Sequence, residues 1–239
     1  MTEPILSIVV PTYNEGDAII TCLDRLLDSV KSPCEIFVVY DTPDDTTAGP
    51  TADYQARDAR VIPTLNTYGR GPANAIRFGL DTATAPVAVV TMADLSDDPT
   101  QIDELAALVR GGAAIGAASR YMKGGRQLGG PAFKSLLSRT AGLTLYYLAR
   151  VGTRDATNSF KAYSTDFVRQ VGIESDAGFE IGIELVAKAR RARLPVKEIP
   201  TVWNDRVAGE SNFKLMKWLP KYLRWYFHAF GRPRPLPSQ

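Results

Sequence analysis

The chain has 239 residues, 45% of them hydrophobic and 23% charged, with a net charge of +2; this is the balance of an ordinary globular protein, long enough to bury a full core as one large α/β domain or one domain with an appendage. Its two cysteines, Cys22 and Cys34, lie in no CxxC or other metal spacing, which excludes a disulfide scaffold and points to a reduced, cytosolic setting. No apolar run approaches the roughly 20 residues of a membrane span, and the polar N-terminus enters a strand pattern without a signal-peptide pattern.

Strands and helices alternate from the start. Residues 5–10 read as a strand that stops at Pro11, and 17–30 as a helix with Ile19, Ile20, Leu23, Leu26 and Leu27 on one face. A second strand follows at 35–40 and a third at 59–63. Residues 72–83 are helical, 87–91 a strand, 100–109 a helix and 113–118 a further strand of small apolar residues. This rhythm predicts an α/β fold with a mainly parallel sheet and helices on both faces. Beyond Arg120 the pattern changes. Residues 123–131 form a glycine-rich loop, 133–149 a helix and 158–163 a strand returning to the sheet. A helix over 180–193 is apolar on one side and basic at its end, as the helix dipole favours. The strand over 196–203 is interrupted by Pro200, which places it at a sheet edge.

From Lys188 onward the chain carries twelve basic and three acidic residues, a net of +9, so the rest is acidic. A basic end suits an anionic partner such as phosphate, nucleic acid or a lipid surface. Lys214, Lys217, Lys221, Arg224 and His228 form one helical stripe. Met216, Leu219, Leu223, Tyr226, Phe227 and Phe230 take much of the remaining surface, with Trp218 and Trp225 toward its flanks. Such a helix either lies on an anionic membrane surface or packs on the sheet with a solvated basic face. Residues 232–239, with three prolines, read as a disordered tail.

Four loops would converge on one edge of this sheet. They are Pro11-Thr12-Tyr13-Asn14-Glu15 after the first strand and Asp41-Thr42-Pro43-Asp44-Asp45-Thr46 after the second. The third is the Gly69-Arg70-Gly71 turn opening the next helix, and the fourth is the Asp94, Asp97 and Asp98 cluster after residues 87–91. The carboxyl ends of strands are where open α/β sheets bind ligands. Crowded carboxylates there call for a cation or hydrogen-bond donors, and a hard divalent ion carrying a phosphorylated substrate would satisfy them. Asp97 and Asp98 could equally do no more than cap the next helix, with Asp98 before Pro99 as N-cap, and Asp94 could simply bond nearby amides. The glycines miss the spacing of a dinucleotide fingerprint.

The series resembles the family-two glycosyltransferases of GT-A fold, and within them the dolichol-phosphate mannose synthase branch. That family has a VVPTYNE-type strand, matched by residues 9–15, and a VDDxSxDxT-type loop, matched in part by 40–46. Its G-x-x-x-A-x-x-x-G segment is matched from Gly69 or Gly71 to Gly79, and its DADLQHP-type segment by 92–99. Residues 116–121 with Gly124-Gly125, a D-x-x-x-x-F segment at 155–160, the 179–184 helix start and Arg206 to Ser211 complete the match.

The resemblance implies an inverting transfer of a hexose, of mannose or glucose type, from a GDP or UDP sugar to a polyprenyl (dolichyl-type) phosphate. It implies a catalytic domain over 1–211, an interfacial helix over 212–231, and peripheral attachment at the cytoplasmic face of a membrane. Partners would be the nucleotide sugar, the polyprenyl phosphate, the membrane surface and, as in some relatives, a membrane-spanning subunit. Pro11, Tyr13, Glu15, Asp41, Ala93, Asp94, Arg206 and Lys214 would bind the donor. Asp94, Ser96 and Asp97 would face a Mg2+ or Mn2+ ion, and Arg120, Lys134 and Ser138 the acceptor phosphate. Asp94, Arg120 and Arg206 would be catalytic.

The chemistry agrees with the resemblance. A phosphate acceptor is already ionised near neutral pH and needs positioning more than a base, while a departing nucleoside diphosphate needs a cation. Three residues depart from the pattern: Met92 stands at an acidic metal ligand, Tyr40 at the first aspartate of the second loop, and Asn212 at a lysine that Lys214 would replace. A thioether is a poor ligand for magnesium or manganese. Two other readings remain. A saccharide or small hydroxyl acceptor would need a general base, with Glu180 or Glu184 as candidates; a non-catalytic nucleotide- or lipid-phosphate-binding protein would need none. The phosphate-site series argues against a nucleic-acid binder.

Overall fold

The β-branched run after Pro4 forms the centre of a sheet. In a computed structural model, which describes residues 3–204, 215–234 and 236, strand β1 (Leu6–Pro11) is buried along its whole length. It lies between β2 (Cys34–Tyr40) and β4 (Val87–Val90), parallel to both. With β3 (Val61–Leu65), β5 (Ile115–Ser119), β7 (Lys161–Ser164) and β8 (Val196–Pro200), the sheet has seven strands in the order β3-β2-β1-β4-β7-β5-β8. All run parallel except β7, which is antiparallel to both β4 and β5.

The strands alternate between two apolar layers, as period-2 geometry requires. Leu6, Ile8 and Val10, with Ile36, Val38, Val87 and Val89, face helices α1 (Ala18–Ser29) and α4 (Ile102–Arg110). Val9, Phe37, Val39, Ala88 and Val90 face α3 (Pro72–Thr82) and α7 (Ile181–Ala192). Helices α2 (Ala48–Gln55), α5 (Ala132–Thr144), α6 (Thr165–Val171) and α8 (Leu215–His228) complete the set. The mainly parallel, two-layered fold read from the sequence is the one present.

The differences have local causes. Helix α2 was not anticipated because Gly49 and Pro50 in its first turn are poor helix formers. Strand β3 runs two residues later than expected and includes Pro63, tolerated because β3 is an outer strand of the sheet. The glycine-rich loop contains β6 (Arg126–Leu128), which pairs with β9 (Val202–Asn204) in a separate two-stranded sheet. The expected strand over 196–203 is therefore two: β8 is an edge strand, and at Pro200 the chain leaves the main sheet. The last turn of the helix expected to reach Ala149 is a π-turn over Leu145–Ala149.

Helix α8 packs on α7, and its tryptophans do not lie on the flanks as expected. Trp218 and Trp225 are buried, with Lys188 of α7 5.2 Å from the Trp225 ring. Lys221 pairs with Asp176, and Arg224 with Glu174 at 2.5 Å. The basic stripe is thus partly engaged with acidic residues ahead of α7. Arg206, Lys214 and the 206–211 run lie outside the described residues, as do the side chains of Met216 and Lys217.

Helix α3 meets the sheet at Gly79, the last glycine of its motif. A β-carbon there would overlap Val9 Cγ1 and sit 3.2 Å from Val39 Cγ2. Gly79→Ala is expected to cost about 1–3 kcal/mol through overpacking, read as a lower urea midpoint with unchanged slope; unaltered stability would mean that α3 does not rest on β1 in this way.

Candidate active site

Strand order places a crevice where β1 and β4 lie side by side, because the chain builds outward from β1 in one direction and then returns to β4 on the other. The loops at the carboxyl ends of β1, β2, β4 and β5 share this edge. The reversed β7 brings its amino end to the same edge.

The loops after β1 and β2 form one hydrogen-bonded unit. Asn14 has a positive φ of 55°, which aims its N–H at the buried carboxylate of Asp45 at 3.1 Å. Asp45 also accepts from Thr47 N at 2.8 Å, and Thr47 Oγ1 accepts from Glu15 N at 3.0 Å. This frame presents Tyr13, 61% exposed, and half-buried Glu15 next to the strand-end Pro11. Asp41 closes the neighbouring loop, accepting from Asn66 Nδ2 at 2.8 Å and Gly71 N at 2.7 Å. The glycine is required at this point: Gly71 has φ +119°, a conformation L side chains rarely adopt. Asp45, Thr47 and Asn66 were not singled out from the sequence, although Asp45 and Thr47 supply the D-x-T of the second loop.

After β4 the three aspartates take three different directions. Asp98 caps a short 3-10 turn, accepting from Thr100 N at 3.0 Å, as its place before Pro99 suggested. Asp97 turns inward: its Oδ2 accepts from Thr91 Oγ1 and Met92 N, both at 3.1 Å. Burial pushes its carboxyl up to about 7. Asp94 is half-buried, with Oδ1 accepting from Ser96 N at 3.1 Å. Ala93 and Ser96 are buried beside it.

These placements bear on a divalent ion. Among the described residues no three His, Cys, Asp or Glu side chains gather as a ligand set. Asp94 alone fits a hard cation, supplying one carboxylate to an ion whose other ligands are substrate phosphate and water. Asp97, expected with it, is directed into the protein, and Ser96 is buried.

On the far side of the edge, Arg120 follows β5 and is locked in place. Its Nε donates to Asp155 Oδ2 at 2.7 Å, and its Nη2 to Asp155 Oδ1 at 2.9 Å and to Ser138 Oγ at 3.3 Å. Burial works against both charges, but the pairing prevails. Arg120 is held above its usual range, and Asp155 below the usual carboxylate range. Tyr121 and Trp203 lie 5.0 and 6.0 Å from the guanidinium. Ser138 also accepts from Tyr121 Oη at 2.9 Å and is 2.6 Å from Thr157 Oγ1. Lys134, one helical turn before Ser138 on α5, lies on the same face. The structure therefore brings Arg120 and Ser138 together around a counterion, Asp155, which the sequence signalled only through its D-x-x-x-x-F pattern.

Both candidate general bases are engaged elsewhere. Glu180 accepts from the amides of Ala177 and Gly178, and Glu184 from those of Glu174 and Ser175 and from Lys188 Nζ. Neither side chain reaches solvent.

Comparison with known proteins accords with this arrangement. Residues 7–172 match the model of glycosyl transferase family 2. A dolichol-phosphate mannosyltransferase of Pyrococcus furiosus is 29% identical over 227 residues, which are 92% of this chain and 62% of that protein. An undecaprenyl-phosphate mannosyltransferase of Micrococcus luteus is 28% identical over 85% of each chain. A polyprenol monophosphomannose synthase of Mycolicibacterium smegmatis is 26% identical over 88% of this chain and 85% of that one. Among solved structures, glucosyl-3-phosphoglycerate synthase of Mycobacterium tuberculosis, with Mn2+, UDP-glucose and phosphoglyceric acid, aligns with a TM-score of 0.68 at 16% identity, covering 97% of this chain and 81% of that one. A mannosyltransferase of Pyrobaculum calidifontis, with GDP-Man and Mn2+, aligns with a TM-score of 0.64 at 18% identity, covering 99% and 67%. The structural likenesses speak for the GT-A fold. With the family model covering most of the sheet and its ligand-facing loops, the chain belongs to glycosyl transferase family 2.

Proposed function

We propose that the protein transfers a hexose, in the first instance mannose, from a nucleoside-diphosphate sugar to a polyprenyl phosphate with inversion at the anomeric carbon. The observation that carries this reading is the Arg120–Asp155–Ser138 cluster, a pre-oriented cation at the ligand edge of the sheet on the opposite side from the loops after β1 and β2. Among the described residues Arg120 Nη1 has no hydrogen-bond partner, so it is the donor left for an incoming phosphate oxygen. The curated relatives act, by their names, on polyprenol-type phosphates.

In this reading Pro11, Tyr13, Glu15 and Asp41 line the nucleoside side, and Asp94 stands at the diphosphate. A divalent ion at Asp94 would supply charge neutralisation for the departing diphosphate. Arg206 and Lys214, outside the described residues, remain proposed diphosphate contacts. Arg120, Lys134 and Ser138 hold the acceptor phosphate, and one of its oxygens attacks the anomeric carbon as the bond to the diphosphate breaks. The attacking oxygen is already anionic, so no base is needed. This suits a site in which Glu180 and Glu184 are both occupied by backbone amides.

The lipid tail requires an apolar path. Helix α5 carries Ser138 and Lys134, yet exposes Phe133 and Leu136 at 64% and 61%. Tyr226 of α8 donates to Thr144 of α5 at 2.9 Å, and the next residue of α8, Phe227, is exposed. No helix among the described residues is long and apolar enough to cross a membrane. We place α5 and the end of α8 on a bilayer surface, at the cytoplasmic face.

A panel of nucleotide sugars with polyprenyl phosphate, read by product mass, tests the activity. Arg120→Ala is expected to lower transfer by at least 100-fold, about 2.7 kcal/mol, while nucleotide-sugar binding persists. Asp94→Ala is expected to remove turnover of the donor altogether. Transfer unchanged in either variant would refute the role given to that residue. For the surface, Phe133→Ser with Leu136→Ser is expected to cut co-sedimentation with phosphatidylglycerol vesicles by tenfold or more, since each buried side chain contributes about 1.5–3 kcal/mol; equal binding would place the contact elsewhere.

A further inference from the structure

Lys161 opens β7 and is completely buried, although nothing in the transfer described above uses it. An ammonium removed from water is costly unless charges and acceptors surround it, and here they do. Its Nζ donates to the carbonyl oxygens of Ala156, at 3.2 Å, and Asn158. Both belong to the 155–160 turn, whose first residue is Asp155. The charges that act on Lys161 are Asp155 in that turn, Arg120 after β5 and Asp97 after β4. From the helix layer, Gly182 of α7 is close enough that a β-carbon there would lie 3.5 Å from Nζ.

The turn is tied down at other points too. Asn158 Nδ2 donates to Ala118 O at 2.9 Å, and Thr157 meets Ser138. Lys161 adds a charged tie beneath them. It gathers two carbonyls of the turn from below while Asp155, at the head of the turn, holds Arg120 from the side. Two buried carboxylates, Asp97 and Asp155, thus stand among two cations, Arg120 and Lys161. The antiparallel insertion of β7 makes this possible, because it delivers an amino-terminal strand residue to the edge where its neighbours end.

We propose that Lys161 is a positioning residue of the acceptor-phosphate site. Its ammonium fixes the 155–160 turn, and through Asp155 it fixes the Arg120 guanidinium in the orientation that receives the phosphate. The proposal rests on the assignment of Arg120 to the acceptor made above.

Lys161→Met keeps the length of the side chain and removes the charge. Removing one cation from a buried cluster strands the charges and carbonyl oxygens it satisfied, so the thermal midpoint is expected to fall, and both KM values are read at a temperature where the variant is folded. The KM for a short-chain polyprenyl phosphate in detergent is expected to rise about tenfold, and the KM for the nucleotide sugar to stay within twofold. The wild type carries a second signature that needs no variant. Burial brings Lys161 down to about 7, so its charge is present below that pH and lost above it. The acceptor KM is then expected to rise roughly tenfold between pH 6 and pH 8. The second ionisation of the phosphate, with its midpoint near pH 6, is completed over the same range and acts in the opposite direction.

An unchanged acceptor KM in folded Lys161→Met overturns the proposal. Equal rises in both KM values in the folded variant also overturn it, since that is the mark of a purely structural lysine. If the variant does not fold, a wild-type acceptor KM that is flat or falls with pH overturns it. Arg120→Ala separates the two levels. If that substitution leaves acceptor KM unchanged, the acceptor assignment itself fails. If it raises acceptor KM while Lys161→Met does not, the assignment stands and only the role of Lys161 falls.

Discussion

A guanidinium that is mostly withdrawn from water must have its counterion fixed before it can serve a substrate, and the Arg120–Asp155 pair is organised around that constraint. The Arg120 side chain is 12% exposed and that of Asp155 not at all. Such a pair contributes little net stability, since desolvation offsets most of the attraction, but removing one partner would strand the other. Its return is geometric. Two parallel N–H donors meet the two carboxylate oxygens, so the guanidinium plane has one orientation, and Tyr121 and Trp203 stand close to it. A cation held this way is ready for a phosphate without reorganising, which is how fixed charge lowers a barrier.

The fold supplies the pieces of that pair from distant parts of the chain. Arg120 comes from the end of β5, Asp155 from the turn before β7, and Ser138 from a helix between them. Only an antiparallel strand inserted between β4 and β5 brings a turn with its own carboxylate and lysine to the edge where parallel strands end. A fully parallel sheet would send that turn to the opposite edge. The same insertion separates the two halves of the site. In the proposed reading the β1 and β2 loops hold the nucleoside side and the β5 and β7 ends the acceptor side, with the β4 loop and Asp94 between them.

Much of this was legible in the sequence where a single physical pattern dominates. Buried strands such as β1 and β4 read directly from their β-branched runs, α1 and α3 from their apolar periodicity, and the Asp98 cap from its place before Pro99. The order of the loops identified the family and set Arg120 and Ser138 apart. What stayed hidden depends on pairing across the chain. No local pattern shows that β7 runs backwards, that β6 finds β9, or that Asp97 faces inward while Asp94, three residues earlier, does not. Two buried tryptophans on α8 were placed on its flanks because a helical wheel records which residues share a face, not which face finds a partner. Lys161 could have been noticed as a charge opening an apolar strand, but its meaning required Asp155 and Arg120 to be placed around it.

Met92 gains its sense from the same neighbourhood. Its amide donates to Asp97, so the backbone at this point closes the end of β4 on a buried carboxylate. A second acidic side chain at position 92 would add like charge beside Asp94 and Asp97, one of which is already held near neutrality by burial. With a thioether in its place, the β4 loop retains one outward carboxylate. A divalent ion held by one protein oxygen depends on the diphosphate for its remaining ligands, so ion and donor should bind together rather than in sequence. In the proposed transfer, neutralising the leaving group would then fall more heavily on the cations assigned to the diphosphate, Arg206 and Lys214.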